Sequence, residues 1–177
     1  GERLDASTID DMVCDCCLPD VALTSDGPVV AYRDRTVQEK RDIVVRRMQD
    51  NQWQAALALS PDNWVIEACP INGPTIAASG DDVVVAWFSA PEDEPHVRIA
   101  QSFDAGRSFS PALEIDAAGS FGYVDVVLID SGDAIVSWFR READGISLSI
   151  RRVYADGQLG EIQSVAYVDI GRPADFP

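Results

Sequence analysis

The sequence predicts an all-β chain built from repeated four-stranded sheets, on three observations. An apolar core with one central aromatic recurs as Val29-Val30-Ala31-Tyr32-Arg33, Val84-Val85-Ala86-Trp87-Phe88 and Ile135-Val136-Ser137-Trp138-Phe139. Its aromatics, Tyr32, Trp87 and Trp138, stand 55 and 51 residues apart. Each core follows a tight-turn dipeptide, Asp26-Gly27, Gly80-Asp81 or Gly132-Asp133. Throughout, β-branched residues and two-residue alternation dominate, and no 3.6-residue apolar stripe runs beyond about two turns.

The remaining strands fall into place around these cores. Ahead of each lies a short apolar stretch: Val21-Ala22-Leu23, Ile76-Ala77-Ala78 and Val126-Val127-Leu128. Behind each comes an arginine-bearing strand: Val44-Val45-Arg46, Val97-Arg98-Ile99 and Ser149-Ile150-Arg151. A weaker fourth strand closes the unit, as in Leu113-Glu114-Ile115 and Ile162-Gln163-Ser164-Val165. Four short strands per repeat of about fifty residues is the pattern of a β-propeller blade. A β-sandwich also spaces short strands evenly, but it does not require the same motif at the same place in each unit. The expected fold is therefore a single partial propeller over 1–177, about three and a half blades, with blades at about 18–64, 65–116 and 117–166 and the start of a further one at 167–177.

Composition narrows the function classes. With 177 residues the chain is long enough for one domain with a sizeable core. Thirty acidic residues against fourteen basic ones give a net charge of −16, which repels phosphate backbones and argues against nucleic acid as a partner. A hydrophobic content of 46% sets the chain apart from acidic disordered tails. Its longest strong apolar run, Val83 to Phe88, is far shorter than the ~20 residues of a membrane helix, so no membrane insertion is expected. The expected setting is secreted or periplasmic, although no signal-like apolar segment opens the chain.

Between the third and fourth strands of the second unit lies Ser102-Phe103-Asp104-Ala105-Gly106-Arg107-Ser108-Phe109. It fits the Asp-box pattern S-x-D-x-G-x-[ST]-[WF], with Ser102, Asp104, Gly106 and Phe109 at fixed positions. The aspartate is suited to accept backbone N–H groups within the turn, the glycine to take a positive φ, and the aromatic to pack back between strands. Degenerate versions occupy the same slot at Gln49-Asp50-Asn51-Gln52-Trp53 and Tyr154-Ala155-Asp156-Gly157. On these residues the chain resembles the sialidase (neuraminidase) superfamily, in particular bacterial exo-α-sialidase-like proteins with Asp-box (BNR) repeats. The run Val30 to Arg35 followed by Arg41 to Arg47 resembles a sialidase blade entering its Asp-box, and the resemblance spans roughly residues 14–177.

That resemblance implies a sialidase-like β-propeller acting on or binding glycans, as a glycoside hydrolase if it is an enzyme; the alternative is a non-catalytic interaction or metal-binding propeller that uses Cys14, Cys16, Cys17 and Cys69. Sialidases grip the substrate carboxylate with three arginines, use a Tyr/Glu pair as nucleophile and an Asp as acid/base. The family's Arg-Ile-Pro motif is absent here; Arg172-Pro173 is a different dipeptide. The remaining catalytic candidates are Arg33 and Arg35 as carboxylate binders, Asp42 beside them, and Tyr123 ahead of an inner strand. Each also has a plain structural reading, as a charged loop residue or a packing ring. His96, the single histidine, sits in an acidic Pro-flanked loop expected to be solvated.

Cys14, Cys16, Cys17 and Cys69 lie on the connections entering adjacent inner strands and are expected to converge. Three states are open: disulfides that staple neighbouring blades, a Zn or Cu(I) site built of thiolates, and buried free thiols. Asp20, Asp125 and Asp175 take comparable inner-strand positions and would make the channel mouth cation-friendly. Because an open half-ring exposes packing faces, the chain is expected either to be part of a longer propeller or to form a homodimer or higher homo-oligomer that completes a six-blade ring.

Overall fold

The computed structural model describes residues 8–60, 62–117, 119–129 and 132–169. The expected continuation at 170–177, with Asp175 and Arg172-Pro173, lies outside them.

Three antiparallel sheets follow one another along the chain. The first runs β1 (Asp20–Thr24), β2 (Gly27–Arg33) and β3 (Ile43–Gln49), with the two-residue β4 (Gln52–Trp53) and then β5 (Leu57–Ser60) both pairing with β3. The second is β6 (Thr75–Ser79), β7 (Asp82–Ser89), β8 (His96–Ser102) and β9 (Leu113–Asp116), in that order. The third is β10 (Ser120–Leu128), β11 (Ala134–Arg141), β12 (Gly145–Val153) and β13 (Gln163–Asp169). Apart from a 3-10 turn at Pro91–Asp93, no helix occurs among the described residues. The innermost strands β1, β6 and β10 lie side by side, so the sheets are successive blades of a partial propeller.

Burial explains why β7 reads as an unbroken apolar run rather than an alternation. Val83, Val85 and Trp87 pack against Val29, Ala31, Ile43 and Val45 of the first blade. Val84, Ala86 and Phe88 pack against Val126, Ala134, Val136 and Trp138 of the third. A strand covered on both faces needs apolar residues at every position. In β11 only one face is covered: Ala134, Val136 and Trp138 are buried, while Ile135, Ser137 and Phe139 between them are half-buried. Each fully buried Val or Ile contributes about 1.5–3 kcal/mol, so both seams add substantially to the cohesion between blades.

The central aromatics do more than fill space. The indole N–H of Trp87 donates to Asp62 Oδ2 at 3.4 Å, just beyond the fourth strand of the first blade, and Arg98 also binds Asp62. One blade later, the Trp138 N–H donates to Asp116 Oδ2 at 2.9 Å, with Arg140 Nε at 3.5 Å. The Tyr32 hydroxyl donates to Asp10 Oδ2 at 2.7 Å, and Arg46 Nε donates to that hydroxyl at 3.1 Å. Asp10, Asp62 and Asp116 are thus equivalent, 52 and 54 residues apart, and Asp169 at the end of β13 continues the series after another 53. The segment ahead of β1 therefore stands where the end of a preceding blade would stand. It is joined to the first blade by a bridge between Val13 and Asp34 and by Cys14 N donating to Arg33 O at 3.0 Å.

Two sequence expectations shift in detail. The slot at Asp50-Asn51 is a two-residue hairpin with φ of 50° and 60°, the type I′ geometry, rather than a longer Asp-containing turn. His96 is the first residue of β8, with Nδ1 2.8 Å from Glu114 Oε2, rather than a loop residue.

Asp116→Ala is expected to lower the unfolding free energy by about 1–3 kcal/mol, because the buried Trp138 N–H loses its acceptor. Asp156→Ala, in an exposed turn, should change it by no more than about 0.5 kcal/mol. Urea unfolding of both variants checks the contrast, and equal losses would contradict the assigned role of Asp116.

Candidate functional site

The inner strands carry a polar row that crosses the three blades. Asp20 opens β1, Thr75 opens β6 and Asp125 lies within β10. The Thr75 hydroxyl lies 3.3 Å from Asp20 Oδ2 and 3.1 Å from Asp125 Oδ1, so one proton is shared across three blades. Asp20 Oδ2 also accepts the Ile76 N–H at 3.0 Å, and each aspartate accepts the N–H of the residue after it, Val21 at 2.8 Å and Val126 at 2.9 Å. The row of carboxylates expected from the repeat is therefore present at two positions, with a threonine between them.

Beside this row is a cleft of about 340 Å³, lined by Pro19, Asp20, Ile71, Asn72, Tyr123 and Val124 among others. Its frame is tight. Asn72 Oδ1 accepts the Tyr123 N–H at 2.8 Å, its Nδ2 donates to Pro70 O at 3.0 Å, and its carbonyl accepts Arg33 Nε at 2.9 Å. Only glycine fits at Gly122, where a Cβ would stand 2.1 Å from Asn72 Oδ1, or at Gly73, where it would stand 1.8 Å from Leu18 O. Tyr123 and Ile71 both hold left-handed backbone, at φ of 53° and 60°, and both side chains are about 60% exposed. Such conformations persist only where the surroundings enforce them. The Tyr123 ring meets Phe121 and Phe139 edge-on at 5.9 and 5.8 Å, which fixes its orientation while leaving a face open.

The sequence placed Tyr123 ahead of an inner strand. It lies inside β10, at an irregularity where the register slips between Gly122 and Asp125. Arg33 is almost wholly buried: Nε binds Asn72 O, Nη1 binds Arg41 O at 2.7 Å, and Nη2 binds Phe88 O at 2.5 Å. Its guanidinium lies 5.0 Å from the Trp64 ring centre. Burial lowers its pKa to about 10, against the opposing pull of Asp42 and Asp62. This placement makes Arg33 a tether from the first blade to the second rather than a grip on an open substrate surface. Arg35 pairs with Glu39 at 2.7 Å on the β2–β3 connection. Asp42 is buried, accepts the Trp64 N–H at 3.3 Å and pairs with Lys40 at 3.0 Å. Arg33, Arg35 and Asp42 therefore do not converge with Tyr123 on one cleft. Asn72 was missed in the sequence because it belongs to no repeat position; its signal was Asn72-Gly73-Pro74, a turn tripeptide ahead of an inner strand.

Ser102, Asp104, Gly106 and Phe109 lie in the turn between β8 and β9. Asp104 accepts the Ser102 hydroxyl at 2.8 Å, the Ser108 N–H at 2.9 Å and the Ser108 hydroxyl at 2.6 Å. Gly106, at φ 79°, donates its N–H to Ser102 Oγ at 2.9 Å, and Phe109 packs against the first-blade core. Burial would raise the Asp104 pKa, but the hydrogen bonds from Ser108, Ser102 and the Arg107 backbone outweigh it and bring it to about 2.

All four cysteines are paired, Cys14 with Cys17 and Cys16 with Cys69. The second bond ties the segment ahead of β1 to the connection entering the second blade. In this state the sulfurs offer no thiolate to Zn or Cu.

Because the folded chain holds the Asp104 carboxyl below its ordinary 3.8, Asp104 adds stability that is complete above about pH 4 and fades as the pH falls toward about 2. Asp104→Asn should therefore destabilise at neutral pH, and its deficit should shrink across that window. Unfolding curves at several pH values check this; a deficit that grows on acidification would contradict it.

Among solved structures, the chain is similar to a point mutant of NanB sialidase from Streptococcus pneumoniae, at 16% identity and a TM-score of 0.47, over 78% of this chain and 21% of that one. A structure titled "NanB plus Optactamide" matches at 16% identity and a TM-score of 0.45, over 74% of this chain and 20% of that one. The chain thus spans about a fifth of the length of these structures. No protein-family model and no curated protein matches the sequence.

Proposed function

We propose that these blades are the glycan-binding part of a sialidase-like propeller, and that this chain holds a neutral sugar without cleaving it. The observation that carries this reading is the cleft at the inner-strand ends, where an exposed tyrosine in enforced left-handed backbone stands beside Asp20 and the Asp20–Thr75–Asp125 row. A tyrosine ring can cover the apolar face of a pyranose, and each carboxylate has about four acceptor positions for sugar hydroxyls. The Asp-box reading of Ser102 to Phe109 supports the ancestry. A net charge of −16, and carboxylates rather than guanidinium groups at the cleft, favour an uncharged sugar over an anionic one. Arg33 is engaged by three carbonyls and Arg35 by Glu39, so neither is placed to grip a substrate carboxylate, which favours binding without hydrolysis.

Calorimetric titration with neutral oligosaccharides and with a sialylated one tests the reading. Binding of a neutral glycan is expected, at least about tenfold weaker in Tyr123→Ala, as for loss of an aromatic anchor. A preference for the sialylated sugar, or an unchanged affinity in Tyr123→Ala, would overturn it. Release of the aryl group from an aryl sialoside would overturn its non-hydrolytic part.

A further inference from the structure

The four cysteines do more than staple the chain if they are reduced, and the surroundings of Cys14 are built for that state. Cys14 and Cys17 are buried, and the sulfurs of Cys14, Cys16 and Cys17 all lie within 4.8 Å of one another. Cys69 joins them through its bond to Cys16. The Arg41 side chain, 5% exposed, directs Nη1 at Cys14 Sγ from 3.2 Å. Its Nη2 pairs with Glu39 at 2.8 Å, and its buried Nε has no hydrogen-bond partner. A disulfide sulfur is an uncharged, weak acceptor, so a buried guanidinium gains little from it. A thiolate in the same place would accept a charge-assisted bond.

We infer that Cys14, Cys16, Cys17 and Cys69 form a redox-gated site for a thiophilic d10 cation, Zn2+ or Cu+. Reduction opens it: a dithiol gives two electrons and two protons to each disulfide, is itself oxidised to a disulfide, and leaves four thiols. The cation then displaces thiol protons to solvent and takes thiolate ligands, the donor set such ions prefer. Arg41 offsets part of the negative charge of a metal bound by thiolates. The site also has an entry path. A cleft of about 350 Å³ opens onto Cys14 and Cys17 and is lined by Asp10 and Asp15, whose charge draws cations in. Reoxidation by a small-molecule disulfide, which takes two electrons per protein disulfide formed and is reduced to two thiols with protons from solvent, would eject the ion, because a sulfur in a disulfide is no longer a thiolate.

The test reduces the full chain with a phosphine, which takes oxygen from water as the disulfides take up hydrogen, and adds Co2+, Zn2+ or Cu+. The expected result is one ion per chain in the reduced protein and none in the oxidised protein, with the visible bands of tetrahedral thiolate-bound Co2+. Competition against chelators then separates a Zn2+ site from a Cu+ site. Cys69→Ser and Cys16→Ser should each weaken binding at least about tenfold, and Arg41→Gln less than the loss of a ligand, in the range of second-sphere changes. Equal uptake by the oxidised chain, or equal uptake by Cys69→Ser, overturns the inference. So does a reduced chain that keeps its near-ultraviolet spectrum yet takes up no ion. Should reduction abolish that spectrum, recovery on adding metal supports the site, and failure to recover overturns it.

Discussion

The bond from a central aromatic to an aspartate of the preceding unit holds this architecture in register. Blade faces are broad and apolar, and apolar contact alone lets one sheet slide over the next at little cost. A buried N–H or O–H cannot slide without losing its acceptor, and that loss costs as much as a large fraction of a domain's net stability. Trp87 with Asp62, Trp138 with Asp116 and Tyr32 with Asp10 thus convert non-directional burial into a fixed stacking of blades. The arginines complete the device. Arg98, Arg140 and Arg46 bring positive charge to each aspartate, so that a carboxylate is tolerated between packed sheets.

The contact between Tyr32 and Asp10 explains the segment ahead of β1. Asp10 does for Tyr32 what Asp62 does for Trp87, although no preceding blade is present among the described residues. Burial raises the Tyr32 pKa to about 12, reinforced by the Asp10 hydrogen bond and partly countered by Arg46, so the phenol remains a donor throughout the ordinary pH range. The segment covers Tyr32 on the first-blade face, as the end of one blade covers the central aromatic of the next. This placement bears on the first-blade face. A second copy would have to present its first-blade face to the third blade, and on that face Tyr32 is already covered by a segment tied down through Cys16 and Cys69. The third blade is different: Ile135, Phe139 and Leu148 remain half-buried, and Val165, Tyr167 and Val168 on β13 are more than half exposed. In the disulfide state the first- and third-blade faces differ in how far they are covered.

Much of the fold was legible because a blade repeats its chemistry. The three apolar cores, their turns and the arginine strands mark β2, β7 and β11 with their neighbours, and the structure keeps them as such. What the sequence hid lies between repeats. The series Asp10, Asp62, Asp116 and Asp169 keeps a spacing as regular as that of Asp50, Asp104 and Asp156, but no shared tripeptide flags it, and in an acidic chain an isolated aspartate carries little signal. The arginines were ambiguous in the sequence for a related reason. A residue type suited to a substrate carboxylate is equally suited to backbone carbonyls, and only burial distinguishes the uses. Arg33 occupies the repeat position of Phe88 and Phe139, and that register was the available hint that it faces a neighbouring blade.

The same register argument locates function. Positions that repeat across blades serve packing, so residues that depart from the repeat are where selection for anything else would show. At the inner-strand ends the departures cluster. Thr75 replaces the carboxylate seen at Asp20 and Asp125, Tyr123 interrupts a strand with left-handed backbone, and Asn72 binds across from one blade to the next. Around the cysteines the departure is Arg41, a buried cation aimed at sulfur. Both places meet at the connection between the first and second blades, where Cys69 and Asn72 are three residues apart. Asn72 Nδ2 binds Pro70 O between them, so one short connection carries both the Cys16–Cys69 bond and the frame of the cleft.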